Sequence, residues 1–192
     1  LWIYHIVEPE VVELIGSSWD WAGLFRMDAK SGKLYAARND SLFVLDYSNP
    51  ESIEQVGVYS SNFGNVRNIK ATDENAFLTT FNETSSLLEV LDITDATNPA
   101  LLSDLDLEAT GRDLFIPATD SSKLFVAYTK GEADNGISIW DITDPENMSA
   151  VSDIKTQAVP ITIWVEDTLV YAGSNQGFEN WFLEQFSISN ID

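Results

Sequence analysis

Only four arginines occur in this sequence, and three of them, Arg26, Arg67 and Arg112, sit in or beside short apolar runs 41 and 45 residues apart. A guanidinium is a planar fork that grips a carboxylate or a sulfate through two parallel hydrogen bonds. In a chain with 31 acidic and ten basic residues, net charge −21, such a set reads in two ways. It seats an anionic ligand, or each arginine pairs with a nearby aspartate such as Asp28 or Asp113 and fixes packing; packing is the expectation. Trp19, Trp21 and Phe63 stand in the polar links WDWAG and SNFGN, where an aromatic stacks on a sugar, anchors a partner or caps an apolar gap. The loop KGEADNG offers Glu132, Asp134 and Asn135 as oxygen ligands for calcium, without the alternating acidic order of a dedicated calcium loop. Its Asn135-Gly136 pair reads as a hairpin turn. His5 is the only histidine and there is no cysteine, so histidine-based triads, thiolate metal sites and disulfides are not expected.

The elements that must carry these residues come from a repeat. LFVLDYSNP, LEVLDITDATNP and WDITDPEN each place an aspartate after an apolar run and close on a proline. His5, Asp46, Asp92, Asp141 and Ser187 mark the copies, at spacings of 41, 46, 49 and 46 residues. Between the markers lie β-branched and aromatic runs of four to seven residues, separated by Gly, Asn, Asp, Ser and Pro. A period of this length made only of strand and turn predicts four-stranded propeller blades. Each blade would open on an inner strand (LFRMD, VRNIKA, RDLFIPA, ITIWVE), continue as a hairpin such as LYAAR and LFVLD, and end on an outer strand. Trp140 and Trp164, inside strand runs, are expected in the core. Asp46, Asp92 and Asp141 would bond turn amides while Pro50, Pro99 and Pro145 set the reversal, a structural corner between third and fourth strands.

The motif Asp-Ile-Thr-Asp-x-x-Asn-Pro in LDITDATNP, with LYAARNDSLFVLDYSNP and LVYAG, resembles the LVIVD repeat of bacterial and archaeal propeller proteins. The resemblance covers nearly the whole chain, best at its centre, with His5 and Ser187 replacing the aspartate at the ends. It implies a secreted or cell-surface propeller, often inside a larger protein, and brings no catalytic residues. Trp140-Asp141 also suggests a WD repeat, but that family needs a Gly-His pair in each blade.

The expected architecture is all-β: a single β-propeller segment over residues 1–192, with repeats at about 1–20 (partial), 21–62, 63–108, 109–156 and 157–192 (partial). About four blade-like units that start and finish at a third strand imply an open segment of a larger propeller. Leu1 is not an initiator methionine, so any leader or anchor is expected outside this sequence. The net charge of −21 opposes nucleic acid and anionic lipid, and the short apolar runs exclude direct insertion as a membrane helix. The functional expectation is a non-catalytic module that binds a protein or a glycan, with no obligate cofactor. The alternatives are a metal-dependent hydrolase with carboxylates at the channel mouth, and a structural spacer.

Overall fold

The protein is described by a computed structural model over residues 1–8, 11–17, 23–131, 134–175 and 181–188. Every regular element among these residues is a strand, and each pairs antiparallel with its sequence neighbour in the same sheet. Strands β1 (Trp2–Glu8) and β2 (Val11–Ser17) form a hairpin. The first sheet holds β3 (Arg26–Lys30), β4 (Lys33–Arg38), β5 (Ser41–Asp46) and β6 (Glu54–Ser60). The second holds β7 (Asn65–Ala71), β8 (Asn75–Phe81), β9 (Ser86–Asp92) and β10 (Ala100–Asp106). The third holds β11 (Thr110–Phe115), β12 (Lys123–Lys130), β13 (Asp134–Asp141) and β14 (Ser149–Lys155). The fourth has three strands, β15 (Val159–Glu166), β16 (Leu169–Asn175) and β17 (Trp181–Ser187). No helix among the described residues is long and apolar enough to cross a membrane.

The middle strands of the second and third sheets are apolar on both faces because each of these sheets is sandwiched between neighbours. Tyr35, Leu42 and Val44 pack on Val66, Ile69 and Leu78 of the second sheet. Phe77, Leu88 and Val90 repeat the contact on Leu114, Leu124 and Val126 of the third. Phe125, Ile137 and Ile139 repeat it on Ile163, Val165 and Val170 of the fourth. Each such side chain contributes about 1.5–3 kcal/mol on leaving water, so these three seams are the main source of stability.

Polar residues on the inner strands fasten one sheet to the next. Arg26, Asn68 and Asp113 occupy the same register position, opposite Ala37, Thr79 and Ala127. Arg26 Nε donates to the Arg67 carbonyl oxygen at 3.2 Å, and Asn68 Nδ2 donates to that of Arg112 at 2.8 Å. Asp113 Oδ2 accepts from the Ile163 amide at 2.9 Å. One layer away, Asp28 accepts from the Ala71 amide and from Lys70 Nζ. Asp28 and Asp113 therefore do fasten sheets, but to backbone amides and a lysine. The expected arginine–aspartate pairs do not form among the described residues, because the acids face amides that a guanidinium could not replace.

The aspartate corners form as expected and carry a second load. Asp46, Asp92 and Asp141 accept from the amides of Ser48, Thr94 and Thr143 at 2.8–2.9 Å. The free oxygens of Asp46 and Asp141 pair with Lys33 and Lys123 on the neighbouring strand. The corner also receives the outer strand of the preceding sheet. A Cβ on Gly57 would collide with the Ala96 carbonyl and lie 3.2 Å from Pro99 Cδ. Ser103 Oγ donates to the Pro145 carbonyl at 2.6 Å, and a Cβ on Gly16 would strike the Pro50 carbonyl. That last contact seats the β1–β2 hairpin before the first sheet, in the third- and fourth-strand positions.

Two expectations need correction. Asn135 and Gly136 do not form the turn: both lie in β13, paired with Thr129 and Tyr128. The chain reverses earlier, where Gly131 adopts φ +67° at the end of the Lys130–Asp134 ladder pair. Trp164 is not core but 59% exposed, its ring tilted against Phe115 of the third sheet with centroids 5.0 Å apart.

Candidate functional site

The site is built on backbone irregularity. In the pairing of β7 with β8 and of β11 with β12, the register shifts between Val66 and Asn68 and between Gly111 and Asp113. The extra residues are Arg67 and Arg112. A bulge redirects the side chain that it inserts, and here it turns two guanidiniums of adjacent sheets out of the ladder. Arg26 belongs to the aligned register instead and is used as a clamp, its Nε shared between the Arg67 carbonyl and Asn68 Oδ1. Sequence order thus groups three arginines, whereas the structure groups two.

Arg67 lies with its guanidinium carbon 4.8 Å from the centre of the Phe81 ring, a favourable cation–π placement. It lines a cleft of about 470 Å³ together with Phe63, Phe81, three asparagines (Asn62, Asn65 and Asn82) and the acids Asp40 and Glu83. Arg112 is half-buried, and its Nε is sealed from water without a hydrogen-bond acceptor. Burial and the neighbouring Arg67 charge both hold Arg112 below the ordinary arginine value. Among the described residues, neither arginine makes an ion pair. A desolvated charged donor without an acceptor is costly, and native structures normally supply one.

The loop that carries Phe63 is held from below. The Ser61 and Val66 amides donate to the Asp40 and Asn39 carbonyls of the preceding sheet. Ser61 Oγ accepts from the Phe63 amide at 3.1 Å and donates to Glu89 Oε1 at 2.9 Å. Tyr59 donates to the same oxygen, while Glu89 Oε2 is buried without a partner. Burial, above all, raises the Glu89 carboxyl above its usual range. Glu184 occupies the corresponding position in β17, where its Oε2 accepts from the Gln157 amide of the next such link. The sequence did announce these props, as an acid inside the otherwise apolar run SLLEVLD.

Trp19, Trp21 and Glu132 lie outside the described residues. The other two calcium candidates are engaged: Asp134 Oδ1 accepts from Lys155 Nζ at 2.6 Å and Asn135 Oδ1 from Thr129 Oγ1 at 2.5 Å. No cluster of three His, Cys, Asp or Glu able to hold a metal occurs among the described residues. The cleft is lined by the Arg67 guanidinium, the acids Asp40 and Glu83, asparagine amides, a serine hydroxyl and aromatic rings, and the Arg112 charge lies close enough to Arg67 to be felt.

No family model matches the chain, and no curated protein matches it. Among solved structures, the chain is similar to a crystal structure of a protein from Lactobacillus plantarum, with a TM-score of 0.71 at 15% identity. The match covers 98% of this chain and 63% of that one, so this chain spans under two thirds of its length. At that identity the likeness bears on the fold alone: a β-rich chain of repeated antiparallel sheets.

Proposed function

We propose that the four sheets are blades of a β-propeller arc, and that the module is a non-catalytic scaffold binding an oxyanion-bearing ligand at Arg67 and Arg112. One observation carries this reading: two neighbouring guanidiniums that make no ion pair among the described residues, one with a buried donor lacking an acceptor, in a chain of net charge −21. So acidic a protein has carboxylates in excess, yet leaves these two cations unneutralised. A carboxylate or sulfate on a glycan supplies the missing acceptor, and Phe63 and the asparagines around the cleft suit the sugar to which it is attached. The resemblance to LVIVD repeats agrees with a secreted or cell-surface setting for such a ligand.

The test is the thermal midpoint in sodium sulfate against sodium chloride at equal ionic strength, then with uronic-acid and neutral oligosaccharides. Chloride controls for screening of the acidic surface. At a hundredfold excess over Kd, a folded-state ligand adds about 2.7 kcal/mol, or about 5–10 °C for a chain of this size. Sulfate and the acidic sugars should shift the midpoint, and Arg112→Gln should remove the shift. Equal effects of sulfate and chloride, or a shift that survives Arg112→Gln, would overturn the reading.

A further inference from the structure

The fourth sheet presents to solvent a face that the first three bury. Register identifies the equivalent positions: Ala37, Thr79, Ala127 and Gly173 on the second strands face Leu42, Leu88, Ile137 and Leu183 on the third. Leu42, Leu88 and Ile137 are each 0% exposed beneath the following sheet, whereas Leu183 is 77% exposed. Tyr171 takes the place of the buried Tyr35, Phe77 and Phe125, and is only partly covered. On the inner strand, Thr162 stands exposed at the fastening position of Arg26, Asn68 and Asp113, with Trp164 beside it, 59% exposed. Both the apolar layer and the polar fastening position are therefore in place on this face.

We infer that this face is the seat of a further four-stranded sheet of the same repeat, following the fourth as each sheet follows its predecessor. Continuity with the three existing seams specifies its chemistry. Its inner strand brings a branched apolar residue at the position of Ile69, Leu114 and Ile163, and a backbone donor or acceptor to Thr162. A second copy of the chain does not fit the same seat. The copy's first sheet would have to offer the face bearing Met27 and Ala36, and its own β1–β2 hairpin already stands before that sheet, with Gly16 against Pro50. The inference does not depend on what Arg67 and Arg112 bind.

The experiment extends the chain in phase. Ser187 aligns with Asp92, so residues 93–156 are duplicated and joined after Ser187, supplying a corner, a fourth strand and a complete further sheet. The extended chain should bind less of an apolar-surface dye, exchange the amides of Trp181–Ser187 more slowly and melt higher. Leu183→Glu should cancel those gains, yet leave the 192-residue chain's midpoint within about 1–2 °C, since Leu183 is exposed there. Three results would overturn the inference. The added repeat could leave dye binding and exchange unchanged; Leu183→Glu could destabilise the unextended chain as much as Leu88→Glu, at a buried position; or the unextended chain could be a dimer that Leu183→Glu dissociates.

Discussion

Glu89 is the most informative side chain to perturb, because its environment favours the protonated form. It is 3% exposed, with one oxygen accepting from Tyr59 and Ser61 and the other unpartnered. In Glu89→Gln the amide carbonyl keeps both donors. The amide nitrogen takes the place of Oε2 beside the Thr80 hydroxyl, which also lacks a partner. The substitution therefore removes a buried charge without orphaning a group, and a buried unsatisfied polar group costs about 1–3 kcal/mol, more when charged. A gain of about 2 kcal/mol corresponds to about 4–8 °C in a chain of this length. The sign with pH follows from linkage. A carboxyl raised in the folded state costs nothing below its unfolded value near 4.5, and stability is lost as pH rises through the folded value. Calorimetric midpoints of the variant and the parent should then coincide below about pH 4 and separate toward pH 8, the variant higher. Glu51→Gln, on the surface, controls for removal of one charge from an acidic chain. A variant less stable than the parent at neutral pH, or a difference that does not change with pH, would refute the assignment of Glu89 as a strained prop.

Other positions give equally direct expectations. Asp46 is lowered to about 2 by the Ser48 amide first and then Lys33, so its stabilising effect is complete above its usual 3.8 and lost as pH falls through about 2. The parent's advantage over Asp46→Asn in thermal melts should vanish across that window. Gly57→Ala should destabilise by about 1–3 kcal/mol, because its methyl meets the Ala96 carbonyl and Pro99. Urea titration checks this, and Ser103→Ala, which loses only the bond to Pro145, should cost about 1 kcal/mol. Leu88→Ala should cost about 2–5 kcal/mol and Leu183→Ala under about 0.5 kcal/mol in the same titration, although the two positions are equivalent in register.

The all-β character and the strand order within each sheet were legible because punctuation and period agree. Alternating short apolar runs, two-residue turns such as Asn39-Asp40, and a proline-closed corner recur at nearly constant spacing. Side-chain partnership was less legible. Arg26 and Arg67 look equivalent in sequence, yet a single bulged residue puts Arg26 in the ladder and Arg67 out of it. Bulges leave little trace in composition, so which arginines share a site could not be read from spacing. Asp28 and Asp113 were near enough in sequence to suggest arginine pairing, whereas inter-sheet geometry gave them amides. Asn135-Gly136 has strong turn chemistry, but the ladder from Lys123 to Lys130 extends past it and the reversal falls on Gly131. Trp164 sits in an apolar strand run that suggests core, yet it is 59% exposed beside the Phe115 ring.

If Arg67 and Arg112 hold an oxyanion as proposed, the Nε–H resonance of Arg112 reports on it directly. Nitrogen-15 spectra across a sulfate titration, with chloride at matched ionic strength, should show that proton moving downfield and exchanging more slowly as sulfate is added. Arg26, whose Nε is already bonded to Arg67 and Asn68, should change little. A resonance for Arg112 that is slow-exchanging from the outset, or one that does not respond to sulfate, would overturn the proposed binding at these arginines.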